Sequence, residues 1–172
     1  MGILDELDEG DLTASSRLLR KAVPAYDYRT REARASTDRE IRDAISRRLD
    51  AARRHAEDAT NTLYRDGHRD AVKAMDDLSA AIEILQRRVR AASPGGGAAG
   101  GLAGLSEEAL VEHDAALVKD ADDVIEATAE LADLAFAGEA EEAGCRAREA
   151  RCRVRELDRG FTDRRDHLVS VT

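Results

Sequence analysis

The stretch Ala71-Val-Lys-Ala-Met75-Asp-Asp-Leu78-Ser-Ala-Ala-Ile82-Glu-Ile-Leu85-Gln-Arg-Arg-Val89-Arg-Ala-Ala92 decides the fold class. Ala71, Met75, Leu78, Ile82, Leu85, Val89 and Ala92 follow alternating steps of four and three. That interval lines up one side of a helix, whereas a strand turns its side chains over at every residue. The seam is narrow and the remaining positions are mostly charged, the pattern of a helix that packs in coiled-coil fashion.

Working outward, the same spacing appears twice more, the upstream stripe after an initial extra step of four. Upstream it runs through Ile41, Ile45, Leu49, Ala52, Ala56, Ala59 and Leu63; downstream it runs through Ala143, Ala147, Ala150, Val154, Leu157 and Phe161, with Leu168 one heptad further. The first two stripes do not share a phase, because continuing from Leu63 lands on Asp66, Asp70, Lys73 and Asp77. A turn at Asp66-Gly67 resets the register, glycine being suited to the left-handed position after a helix. One unbroken helix with an eleven-residue step from Ala56 to Gly67 is the alternative. A further helix begins after Ser106, which caps it, with Glu107 and Glu108 in its first turn and Leu105 stapled to Leu110. Its apolar face is broad: Leu110, Val111, Leu117, Val118, Val124, Ile125, Leu131 and Leu134. A wide face contacts more than one neighbour.

These signals predict an all-α protein with helices over 37–65, 68–92, 106–136 and 140–159, the last fraying to about 168 and weakened at Gly160. Thr37-Asp-Arg-Glu40 has the form of a capping box for the first of them. Residues 25–36 are either a loop or an early extension of that helix. Asp11 to Val23 reads as a short amphipathic helix (Leu12, Leu19, Val23) ended by Pro24. Ser93 to Leu105 is half glycine and proline, a flexible linker; it lacks the Gly-Lys-Ser/Thr ending of a phosphate loop. The expected organisation is one domain, 1–172: an N-terminal segment 1–36, a helical hairpin 37–92, the linker 93–105 and a second hairpin 106–168. Together they form an antiparallel four-helix bundle with a short extra helix.

Composition fits this scheme. Aromatics are 3% of 172 residues with no Trp, so the core is built from alanine and aliphatic side chains. The net charge of -9 comes entirely from the second half, since residues 1–95 hold 18 acids and 18 bases while 96–172 hold 18 acids and 9 bases. No stretch approaches the ~20 apolar residues of a membrane span, and the amino terminus lacks a signal-like apolar region, so a cytoplasmic protein is expected.

Candidate chemistry is thin. The residues three before His55, His68, His113 and His167 are Ala52, Arg65, Leu110 and Arg164, so the Glu-x-x-His pairs of a di-iron bundle are missing. Glu112-His113-Asp114 has metal-ligand types, but sequence neighbours point about 100° apart on a helix, so solvated side chains are expected. No cofactor is implied. Cys145 and Cys152 are seven apart, on the order of 10.5 Å along a helix, too far to bridge. Both lie opposite the seam. Because cysteine is usually buried, that face is expected to meet another surface, the alternative being two exposed thiols. The ladder Asp122, Glu126, Glu130 reads as a solvated acidic face, open to pairing with the arginines of the last helix (Arg146, Arg148, Arg151, Arg153, Arg155).

The leading functional expectation is a non-catalytic interaction protein that self-associates or binds a protein partner. Val111, Val118, Ile125, Cys145 and Cys152 are the candidate contacts. The second expectation is nucleic-acid binding through Arg47, Arg48, Arg53 and Arg54, although Asp43, Asp50, Glu57 and Asp58 interleave with them. Tyr28-Arg-Thr-Arg-Glu32, Ser36-Thr-Asp-Arg-Glu-Ile41 and Leu63-Tyr-Arg-Asp-Gly67 are similar to the early helices of translin-type RNA-binding proteins. That resemblance covers about a quarter of the chain and implies single-stranded RNA as ligand; the acidic motif of the family's nuclease branch has no counterpart here. Met1-Gly-Ile-Leu with a long first hairpin also looks like the phage-shock type of membrane remodeller, from which the acidic start departs.

Overall fold

A computed structural model describes residues 13–27, 30–92 and 107–169, with side chains at all of these except 31, 34, 107, 108 and 165–169. Among them the protein is all-helical, with five helices and no strand. These are α1 (Ala14–Ala22), α2 (Arg31–Arg65), α3 (Arg69–Ala91), α4 (Glu107–Phe136) and α5 (Ala140–Val169). The expected linker over 93–105, the Ser106 cap, Leu105 and Leu12 lie outside the described residues, as does Tyr28.

Local chemistry sets the ends. The Thr13 hydroxyl accepts from the Ser16 N–H at 3.2 Å and caps α1, and Pro24, which has no N–H to continue the ladder, follows its end. Of the two readings of residues 25–36 the early extension holds from Arg31, where α2 begins and the Thr30 hydroxyl accepts from the Ala33 N–H at 3.1 Å, and the capping box expected at Thr37 is corrected. Thr37 is buried inside the helix and its hydroxyl serves another segment. It donates to the Asp27 carbonyl at 2.7 Å and accepts from the Asp27 N–H at 2.9 Å.

Asp66-Gly67 is a turn, and Ala137-Gly138 is its counterpart. Gly67 and Gly138 have φ of 81° and 79°, the left-handed region that glycine enters without strain. In each turn the residue after glycine donates back into the helix, His68 to the Leu63 carbonyl at 3.0 Å and Glu139 to that of Leu134 at 2.9 Å. Glycine itself donates to Tyr64 or Ala135. Together these are the two bonds of a Schellman cap. Gly160, in contrast, breaks nothing, and α5 runs on to Val169. A Cβ there would sit 3.1 Å from Leu117 Cδ2, so the missing side chain permits a close helix contact.

The chain divides into two compact units. Unit 1 comprises Met1–Ile45, Val89–Lys119 and Arg159–Thr172; unit 2 comprises Ser46–Arg88 and Asp120–Asp158. In unit 2 the seams close over Leu49, Ala52, Ala56, Leu63, Met75, Leu78, Ile82, Val124, Leu131, Ala147 and Ala150, all essentially without solvent contact. Gln86 Nε2 donates to the Ser46 carbonyl at 3.2 Å and to Asp50 Oδ1 at 2.7 Å, fixing α2 and α3 as antiparallel neighbours. Positions 71, 77 and 88 of α3 meet 144, 151 and 158 of α5 in the same order, so these two helices run parallel. In unit 1 the N-terminal segment supplies buried Leu19, Val23 and Tyr26 beside Ile41, Val89, Leu117 and Phe161.

The two hairpins share a regularity that no single stripe carries. Most buried positions of the α2–α3 hairpin recur 72 residues later in α4–α5, as Leu63 to Ala135 and Ile82 to Val154 illustrate. Ile45 to Leu117, Ala59 to Leu131, Ala71 to Ala143 and Val89 to Phe161 keep the same interval. The two hairpins bury largely the same faces, for the most part with different residues.

Candidate functional site

The most unusual chemistry lies inside unit 1. Asp38, Arg42, Asp114 and Arg164 are all buried, although charged side chains seldom are unless paired. Arg164, from the last turns of α5, donates from Nε to Asp114 Oδ1 and from Nη1 to Asp38 Oδ1, both at 2.6 Å. Arg42 Nε donates to Asp38 Oδ2 at 3.0 Å, and its Nη1 donates to the Ala92 carbonyl. The Tyr26 hydroxyl donates to Asp114 Oδ2 at 3.1 Å. Two carboxylates face two guanidiniums, so the cluster carries no net charge. Every carboxylate oxygen in it accepts a hydrogen bond.

Such an arrangement is poorly suited to proton transfer. Arginine stays protonated at any ordinary pH, and each carboxylate oxygen already accepts from a fixed donor. What the cluster does is tie the segment before α2, through Tyr26, to α2, α4 and α5. The Thr37–Asp27 bonds make a second tie of the same segment. Two polar atoms nearby in sequence, Arg42 Nη2 and His113 Nδ1, are out of solvent contact and have no hydrogen-bond partner among the described residues.

The expectation of solvated side chains at Glu112-His113-Asp114 is therefore corrected at Asp114, which has no solvent exposure. A signal for this was present. Stepping back three from Ile41 reaches Asp38, stepping on three from Phe161 reaches Arg164, and Leu110–Asp114–Leu117 places Asp114 on its own seam. Charged residues at seam positions on three helices are the ones that meet.

The surface residues singled out from sequence are scattered. Val118 is wholly buried and so is withdrawn as a partner contact; Val111 and Ile125 are half-buried. Cys145 and Cys152 are free and exposed, which corrects the expectation of burial: the face opposite the α5 seam is covered by nothing in the described chain. Of the arginines, Arg48 donates from Nε to Asp122 at 2.7 Å and Arg53 pairs with Glu57 on its own helix, while Arg47 and Arg54 are exposed. Asp122 of the acidic ladder thus meets α2. Arg146 instead reaches Glu149 and Glu142 within α5, whose carboxylates raise its guanidinium pKa further. Arg151 donates to Asp77 of α3 at 3.0 Å.

Sequence reasoning missed the side chains that stand out most on unit 2. Tyr64, Ile84 and Phe136 are 75%, 51% and 88% exposed. Ile84 borders a shallow groove of about 290 Å³ between α3 and α5, floored by Ala80, Ala81, Leu85 and Val154. The ion pairs Asp77–Arg151 and Arg88–Asp158 lie before and after it along the helices. Among the described residues no three His, Cys, Asp or Glu side chains converge as a metal would require, and no helix is long and apolar enough to cross a membrane. Comparison with protein-family models, curated proteins and solved structures gives no match to this chain.

Proposed function

We propose that this chain is a non-catalytic interaction protein that works by self-association. The observation that carries the proposal is the set of large apolar side chains left uncovered. Tyr64, Ile84 and Phe136 are the exposed large apolar residues among those described, and all three belong to unit 2. In a chain with only two phenylalanines and three tyrosines, leaving two aromatics in water is a poor use of scarce core material. Interfaces, in contrast, are enriched in them. The packing that accompanies this reading is a four-helix bundle of two hairpins, supported by the matching burial of α2–α3 and α4–α5. A cytoplasmic setting is supported by the two exposed free thiols, which persist where the surroundings are reducing.

Size-exclusion chromatography with light scattering, at low and high salt and from micromolar to submillimolar chain, tests the proposal. A mass above that of one chain, growing with concentration, is expected. A strict monomer under every condition overturns it.

A further inference from the structure

We infer that two copies pair through the turn end of unit 2, with Tyr64 of one copy against Phe136 of the other. The inference rests on the self-association reading and names its surface. The starts of α3 and α5 abut: a Cβ on Gly144 would lie 3.4 Å from Ala71 Cα. His68 and Arg69 line one hollow of about 600 Å³ together with Ala140 and Glu141. The Gly67 and Gly138 turns, which immediately precede these residues, therefore sit side by side at one end of the unit.

Each turn presents an aromatic from the end of the helix before it. Tyr64 and Phe136 are separated by the same 72 positions at which the two hairpins' buried patterns coincide, so they occupy equivalent places. The charges around them are not equivalent. The first turn carries Arg65 and Arg69 with His68, beside Asp66 and Asp70. The second carries Asp133, Glu139, Glu141 and Glu142 with no base until Arg146, which is already engaged by Glu142 and Glu149. Setting like turns together would place acid on acid. A twofold axis between the turns sets first on second, twice over, and brings Arg65 and Arg69 across from Glu139 and Glu141. That contact is self-complementary and closes at two copies. The aromatics supply its centre and the charges its rim, which governs salt dependence and register more than strength.

The test uses the full chain and light scattering across concentration. Phe136→Glu changes a side chain that is 88% exposed, so the fold should survive, which circular dichroism checks. It is expected to weaken the dimer at least about tenfold. Arg65→Glu/Arg69→Glu is expected to weaken the dimer at low salt. Adding Glu139→Arg/Glu141→Arg to that variant is expected to restore it, a rescue that lost folding could not mimic. If the native chain dimerises and the Phe136 and arginine variants dimerise equally well, the turn end is refuted while self-association stands. If the native chain is monomeric at every concentration, self-association itself falls, and this inference with it.

Discussion

Replacing Asp114 by leucine strips a buried cluster of one of its two negative charges. Arg164, only 4% exposed, keeps its Nη1 bond to Asp38 but loses the 2.6 Å bond from Nε, and the Tyr26 hydroxyl loses its acceptor. The four buried charges of Asp38, Arg42, Asp114 and Arg164 go from balanced to one positive charge in excess. Breaking a buried pair in this way costs about 3–5 kcal/mol, a large part of the ~5–15 kcal/mol that holds a typical domain together. Arg164→Met has the opposite imbalance, taking one guanidinium from both Asp114 and Asp38, and a loss of similar size is expected. The double variant Asp114→Leu/Arg164→Met leaves no charge in excess: Asp38 keeps Arg42 at 3.0 Å, while Asp38 Oδ1 loses the Arg164 bond and the Tyr26 hydroxyl loses its bond to Asp114, at about 1–3 kcal/mol each. It should therefore be more stable than either single variant. Urea unfolding followed at 222 nm measures all four proteins. Singles within about 1 kcal/mol of the native chain, or a double variant whose loss is the sum of the singles, would refute the idea that these charges hold one another.

Other consequences can be checked alongside it. Thr37→Val removes both bonds to Asp27 and should cost about 1–2 kcal/mol, with limited proteolysis cutting sooner near residue 27; unchanged proteolysis would argue against a tie there. Gly144→Ala meets Ala71 only at ordinary contact distances of 3.4 and 3.5 Å, so helix propensity should dominate and raise stability by about 0.5–1 kcal/mol. Gly138→Ala should instead lose about 1–2 kcal/mol, because φ of 79° strains any residue with a Cβ; a neutral result in thermal unfolding would contradict the cap geometry. Cys145 and Cys152 should both react with a thiol reagent in the folded protein, with no internal disulfide under mild oxidation. Protection of either would mean that the outer face of α5 is covered.

How far the sequence could be read depends on what each seam position holds. Where it holds alanine, leucine, isoleucine or valine, spacing alone sufficed: all seven residues from Ile41 to Leu63 are without solvent contact. Where it holds a charge, the same spacing argues burial while the residue type argues water. At Asp38, Asp114 and Arg164 the spacing is the better guide, and only at Asp114 does it meet a contrary expectation. A charge is expensive on a seam only while it is alone, and no single helix reveals that two others bring it a partner. The cysteines failed in the opposite sense, since composition argued burial and spacing argued exposure, and spacing prevailed. Tyr64 and Phe136 were out of reach for another reason. They follow the last seam residues of α2 and α4 by one position, where a helix surface gives way to a turn and periodicity stops carrying information. Their equivalence emerges only when the burial of both hairpins is laid end to end. Periodicity thus locates the core of such a protein, while its contacts with the outside are found where the pattern ends.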